Sequence, residues 1–298
     1  MTTLSTLTRG QGAGDAPYTA ADLDVIADNV APMHGHPNTP RLFTGPGGLA
    51  VTEDGIVQVP PGFDWLADRA HRNDPGPGSR DAAVATRRDG VGCVHPGITA
   101  WAIARGWPTD QHGRPVNPRY ASLLADPRIG LCTGLGPSWR YGEQVVTDAV
   151  AVADGHVALI DRDTPHNGTI PALPGGFAEP QDFGLTFADW TTGHRPVTPA
   201  GIIANALREL GEETGIATPD GSTLRIVREI RPVSSPHTLN AWTVVYTVLV
   251  VLPTRQSVPD GFRARWTPLD TLDAVLPNMW GDHRNALTAA LDQMQRGL

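Results

Sequence analysis

The chain contains seven glutamates among 298 residues, and three of them, Glu209, Glu212 and Glu213, fall within five positions in the segment R-E-L-G-E-E-T-G-I (208–216). On a helix, positions i, i+3 and i+4 share a face, so these carboxylates project together. Like charges this close cost helix stability. A solvated acidic face is the plain alternative, but it fits poorly in a chain whose other acidic residues are almost all Asp and where the cluster lacks i+4 basic partners. Hard oxygen donors on one face suit Mg²⁺ or Mn²⁺, whose remaining positions are filled by water and substrate phosphate. Upstream, Leu173-Pro174-Gly175-Gly176-Phe177 carries a glycine pair that lets backbone approach a ligand closely. Divalent ions held this way neutralise a diphosphate and lower the pKa of a bound water.

These residues need a helix and a loop fixed on a scaffold. Pro199–Thr214 reads as a helix ended by Gly215. Gln144–Ala153 and His156–Asp161 form a hairpin pattern about Asp154-Gly155. Arg225–Pro232, Ala241–Leu252 and Phe262–Thr267 read as strands, the second apolar on both faces as in a sheet centre, and Asp282–Arg296 as an amphipathic helix. The class is α/β (α+β) with a mixed sheet. The texture changes near residue 140. A flexible tail over 1–15 and an N-terminal domain or cap over 16–140 are expected before the domain at 141–298. In the N-terminal part, 18–31 fits a helix with Thr19 as N-cap, Gly55–Val59 is β-like, 63–72 is a second helix and 72–81 a loop.

Composition removes several chemistries. All 23 basic residues counted as Lys+Arg are Arg. Without Lys there is no Schiff-base enzyme, and no P-loop NTPase or protein kinase of the usual design. Phosphate must be met by Arg, backbone N–H groups or a metal. A net charge of -8 disfavours nucleic acid as a partner. Cys93 and Cys132 form no C-x-x-C unit, which suits a reducing, cytoplasmic setting. The N-terminus shows no apolar signal region, and the longest apolar run, Trp242–Leu252, is too short to span a bilayer, so no membrane partner is expected.

The Gly pair and Arg208–Ile216 together resemble the Nudix hydrolase signature, G-x5-E-x7-R-E-U-x-E-E-x-G-U. The second half matches at every fixed position: Arg208, Glu209, Leu210, Glu212, Glu213, Gly215 and Ile216. Counting from Gly176, the first Glu position holds Asp182, and the seven-residue spacer is replaced by residues 183–207, an insertion of 18. That insertion, at about 183–200 with Trp190 and His194, reads either as a lid or as a surface excursion. T-L-N-A-W (238–242), H-G-R-P-V-N-P (112–118) and R-I-G-L-C-T-G-L-G (128–136) are similar to segments of the mitochondrial ADP-ribose pyrophosphatase branch, with Ile129 in place of Thr and the later Arg missing.

The resemblance implies a Nudix-type α/β/α sandwich, preceded by a smaller region of short strands and helices. It implies hydrolysis of ADP-ribose to AMP and ribose 5-phosphate, with Mg²⁺ or Mn²⁺ on Glu209, Glu212, Glu213 and Gly176, and with Arg208 orienting a carboxylate of the cluster. Asn240, Trp242, Arg128, Arg140 and Asp182 are then substrate-binding candidates, with Trp139 and Tyr141 weaker ones. Asp182, Glu179, His237, Asp282 and His283 are general-base candidates. The expected partner is a small-molecule nucleotide, and the chain is compatible with a homodimer. Two other readings stay open: a Nudix hydrolase of NADH, a nucleotide sugar or a modified dNTP, and a non-catalytic ADP-ribose sensor.

Overall fold

The structure is a computed structural model that describes residues 18–20, 23–24, 26–27, 41–44, 49–65, 85–86, 92–134, 140–164, 168–191, 193, 195–230 and 238–297. The valine-rich runs build a mixed seven-stranded sheet. β1 (Gly142–Ala153) turns at Asp154-Gly155 into β2 (His156–Thr164). Both turn residues have positive φ, 45° and 70°, as the tight primed hairpin turn requires. β3 (Gly168–Ala172) pairs back on β2, and β4 (Gly175–Phe177) lies antiparallel on β1, Gly175 opposite Asp148. The site therefore begins on a strand edge. α1 (Phe187–Thr191) and α2 (Pro199–Thr214) follow. β5 (Thr223–Ile230) is antiparallel to β6 (Ala241–Val251), which runs parallel to β1 along its length. β7 (Ala264–Pro268) joins β2, and α3 (His283–Gln295) closes the described chain. The strand order is β3-β2-β1-β6-β5, with β4 on β1 and β7 on β2.

Two-residue alternation sends successive side chains to opposite faces. Ala149, Ala151, Val248 and Val250 face Ile202, Ala206 and Leu210 of α2. Val150, Val152 and Leu249 face Ala286, Leu287 and Ala290 of α3. The result is helix, sheet and helix in three layers, as the patterning implied. α2 starts and stops at sequence-readable points. The Thr198 side chain accepts the Gly201 N–H, Pro199 occupies the first turn, and Gly215 ends the helix at φ 69°.

The N-terminal elements are short and pack around a small apolar cluster that includes Val57, Val59, Leu123, Ile129 and Leu131, with polar contacts beside it. Ala50–Val51, Ile56–Gln58 and Thr109–Asp110 form one small sheet. Asp64–Trp65 is a strand paired in parallel with Thr133–Gly134, which corrects the helix expected over 63–72 for those two residues. Tertiary bonding decides it, because the Asp64 carboxylate takes the Thr133 hydroxyl and the Arg114 guanidinium. Helices Pro96–Ala104 and Tyr120–Ala125 carry no strong sequence signal and were not foreseen. The expected tail over 1–15 and loop over 72–81 lie outside the described residues.

Residues of 112–118 and 238–242 and the described part of 128–136, up to Gly134, meet in one buried joint. Asn240 donates to Asp110 Oδ2 and to the Pro115 carbonyl, each at 3.0 Å, and accepts the Gly134 N–H at 2.8 Å. Arg114 binds Asp110 at 2.6 Å and Asp64 at 2.8 Å. Thr238 donates to Gly134 O, and the Leu239 N–H to Cys132 O. Trp242 packs edge-on to Trp107, which in turn meets Trp101. Asn240 and Trp242, expected at the substrate, are thus buried joint residues. Both Asn240 amide hydrogens are taken by protein partners, so neither is left for a ligand. Asn240→Ala strands three buried partners and is expected to lower stability by about 2–4 kcal/mol in chemical denaturation. A loss below ~0.5 kcal/mol would remove the joint as a stability element.

Candidate functional site

α2 presents Arg208, Glu209, Glu212 and Glu213 towards the Gly175–Gly176 strand edge. The Arg208 guanidinium is the centre of this surface. Nε and Nη2 reach the two oxygens of Asp182 at 3.1 and 3.2 Å, and Nη1 reaches Glu209 and Glu212, each at 2.9 Å. Nη2 also meets Phe177 O and Asn205 Oδ1. Burial works against this cation, yet the surrounding carboxylates hold its pKa above the usual range. Asp182 therefore sits where the box places its first carboxylate, despite the 18 inserted residues. Its oxygens are taken by Arg208 and by the Glu179 N–H, so Asp182 is a positioning group, which corrects its place among the substrate-binding and general-base candidates.

The carboxylates are not equivalent. Burial raises the Glu209 pKa to about 6 against the opposing Arg208 charge, with Glu213 and Glu212 adding to the rise. Burial also raises the Glu213 pKa, opposed by the Gly175 N–H that it accepts at 2.8 Å. Glu212 is exposed. A β-carbon on Gly176 would stand 2.7 Å from the Glu209 carboxyl, and one on Gly175 would stand 2.1 Å from Thr147 O, so the pair admits no side chain. Asn205, fully buried, donates to Gly176 O at 3.2 Å and to Thr147 Oγ1 at 2.9 Å, which fixes the edge to the helix. Among the described residues no three acidic, His or Cys side chains already converge on one point. The donor set nevertheless suits a hard divalent cation: every donor is oxygen, and two of the carboxyls are disfavoured as lone anions by burial.

Behind Glu213 lies a second layer. Asp148, in the middle of β1, is buried, and burial raises its pKa to about 7, with Asp282 adding to the rise and Arg228 and Arg162 opposing it. His283 accepts the Leu173 N–H at Nδ1, 2.8 Å, and turns Nε2 to Asp148 at 3.5 Å. Burial lowers the His283 pKa to about 3, helped by the Arg162 charge, so the ring is neutral. Asp282 is paired with Arg228 and with the Asn285 amide. The described general-base candidates Glu179, Asp182, Asp282 and His283 are therefore all engaged by protein partners, Glu179 by Gln181. His237 and Trp139 lie outside the described residues. Arg128 is committed to Asp24 and Asp126. Asp148, Asn205, Arg162 and Arg228 escaped the sequence reading. The signals were there for two of them: a carboxylate inside the apolar run V-V-T-D-A-V-A-V, and an Asn three residues before Arg208 on a buried helix face.

Several described residues of the insertion are packed on the domain. Phe183 fills the space above Gly201, where a β-carbon would meet its ring at 2.0 Å, and it packs on Trp190. Arg140 lies 3.5 Å over the Trp190 ring and donates to Ala178 O. Buried Arg195 donates to Trp190 O and Tyr141 O and sits over Trp101. The inserted segment thus fastens α2 to the helix Pro96–Ala104, and Arg140 and the Tyr141 backbone serve that contact.

Residues 143–290 match the family model described as NUDIX domain. No curated protein matches the chain. Similar solved structures include Shewanella oneidensis NrtR, at 17% identity and TM-score 0.36, covering 51% of this chain and 63% of that one. Another is a bifunctional NMN adenylyltransferase/ADP ribose pyrophosphatase from Francisella tularensis, complexed with AMP and a Mn ion, at 21% identity and TM-score 0.34, covering 52% and 42%. A third is an ADP compounds hydrolase, at 15% identity and TM-score 0.34, covering 52% and 75%. The chain thus spans less than two thirds of the first two.

The buried Asp148 gives a pH signature. Its folded pKa is raised to about 7, so its contribution to stability is complete below the unfolded carboxylate range and is lost as pH rises through 7. His283 works the other way. Its contribution is present above the unfolded imidazole range and is lost as pH falls towards 3. Asp148→Asn removes only the first effect. In chelator-treated protein, the stability of Asp148→Asn relative to wild type is expected to rise between pH 4 and 8 by a few kcal/mol, about 4 at most. A pH-independent difference in denaturation midpoints would contradict it.

Proposed function

We propose that the chain is a divalent-metal-dependent hydrolase that cleaves the diphosphate of ADP-ribose to AMP and ribose 5-phosphate. The observation that carries the hydrolase reading is the Arg208 clamp, which joins Asp182 to Glu209 and Glu212 across the insertion and keeps the carboxylate set of the Nudix box whole. A divalent cation, when bound, supplies charge neutralisation on the diphosphate and a more acidic water. Glu209, Glu212 and Glu213 hold it, with the Gly176 carbonyl as a neutral donor. Arg208 orients Glu209 and Glu212, and the Gly175 N–H holds Glu213 in place. The substrate choice is supported by the resemblance of residues 112–118, 128–136 and 238–242, whose described residues lie in the joint beside β1 and β6.

Incubation with ADP-ribose, NADH, nucleotide sugars and dNTPs plus Mg²⁺ or Mn²⁺, with products resolved by chromatography, tests both levels. AMP and ribose 5-phosphate from ADP-ribose in preference to the others is the expected result. Cleavage of another nucleotide moves the substrate, and ADP-ribose binding without turnover makes the chain a sensor. Glu212→Gln is expected to lower kcat by at least ~100-fold. Near-wild-type turnover in that variant would overturn the metal assignment.

A further inference from the structure

Arg162 stands on β2 opposite Ile170 of β3, with its guanidinium carbon 4.8 Å from the centre of the Trp280 ring. It is exposed, and among the described residues its side chain makes no hydrogen bond or ion pair. Its neighbours in the domain are differently placed. Arg208 is held by Asp182, Glu209 and Glu212, Arg228 by Asp282, Arg263 by Asp163 and Arg265 by Asp161. The Trp280 platform is itself fixed. The Trp280 backbone N–H donates to Pro171 O at 2.9 Å, and His283, three residues on, accepts the Leu173 N–H. Both contacts pin the platform to the strand that runs directly into Gly175–Gly176.

Geometry links Arg162 to the inner end of the site. The His283 backbone N–H donates to Trp280 O at 3.0 Å, His283 Nε2 lies 3.5 Å from Asp148, and Asp148 pairs with Gly175, whose N–H donates to Glu213. A guanidinium stacked on indole is pre-oriented, yet its N–H donors point outward in the guanidinium plane, free for a planar or tetrahedral oxyanion. The chain has no Lys to share this work.

We propose that Arg162, seated on Trp280, binds a phosphate oxygen of the substrate's diphosphate at the Glu213 end of the carboxylate set. This rests on the hydrolase reading above. Arg162 is a binding group for the substrate, and Trp280 is the positioning residue that keeps its guanidinium extended over the site.

Steady-state kinetics of the full chain with ADP-ribose and saturating Mg²⁺ test it. Arg162→Ala is expected to raise KM about ten-fold or more with kcat changed less than about three-fold. Arg162→Lys should recover part of that loss, because charge is kept and the fork is not. Trp280→Leu should shift KM in the same direction by less. Thermal melts of Arg162→Ala and Arg162→Lys matching wild type exclude a folding cause. An unchanged KM in Arg162→Ala overturns the proposal. So does a changed kcat or Mg²⁺ requirement at constant KM, since Arg162 would then act only on Glu213. If wild type cleaves no diphosphate, the hydrolase reading fails by itself. Calorimetric titration of wild type and Arg162→Ala with inorganic pyrophosphate and Mg²⁺ then decides. Weaker binding by the variant supports the phosphate contact, and equal binding, or none by either, overturns it.

Discussion

One guanidinium holds the site together. Arg208 is the residue through which the two halves of an interrupted motif meet. It takes both oxygens of Asp182 from before the insertion and one oxygen each of Glu209 and Glu212 from after it. Without that cation, the carboxylates on one helix turn and the buried Asp182 would face one another uncompensated, and like charges in a poorly solvated setting repel strongly. The planar fork matters as much as the charge. Two parallel bonds to one carboxylate set the direction of the side chain, which a point charge would not. The insertion is tolerated because its ends return to this fork. Phe183 follows Asp182 directly and packs over Gly201 on the first turn of α2, so the segment leaves and re-enters the motif at adjoining points.

The second constraint is the polar joint between the short N-terminal elements and the long strands. Their strands are two or three residues long, yet Ile26, Val57, Val59, Leu123, Leu124, Ile129 and Leu131 bury a small apolar cluster of their own. Directional bonds then join that cluster to the long strands. Asp110, Arg114 and Asn240 form a buried network in which both Asn240 amide hydrogens are used. Such a network contributes only while complete, because each partner left behind carries its own desolvation cost. The insertion adds a second fastening through Arg195 and Trp190 to the same side of the molecule.

The sheet and its helices were legible because their signals are local and periodic. The capped helix Pro199–Thr214, the Asp154-Gly155 turn and the apolar strand at 241–251 lie within a residue or two of their expected limits. The carboxylate cluster was legible for the same reason, since helical spacing alone puts Glu209, Glu212 and Glu213 together. What failed was the step from motif to role. Asn240 and Trp242 belong to a recognisable segment, yet burial and partners decide what such residues do, and those partners, Asp110, Pro115 and Gly134, are more than a hundred residues away. Asp64–Trp65 was misread by the same mechanism, because pairing with Thr133–Gly134 overrides local preference. Asp148 shows the converse. A charged residue inside an apolar strand is improbable as decoration, but the groups that face it, His283 and Asp282, are brought near it only in three dimensions.

The arginine usage of the domain then has a physical division. Arginines whose carboxylate partners sit at hydrogen-bonding distance are structural: Arg208 organises the carboxylate face of the helix, and Arg228 neutralises Asp282 behind it. Arg162 is near the same acidic groups but is withheld from them by its stack on Trp280. Glu213 in turn is occupied by the Gly175 N–H, and Asp148 by His283. A cation kept beside, yet out of contact with, half-buried carboxyls lowers the cost of their charge without consuming its own donors. The same placement leaves those donors open at the edge where an anionic ligand would approach the helix face. In a chain without lysine, the separation of fixed from free guanidinium groups is what distinguishes the cations that build the site from one placed to meet what enters it.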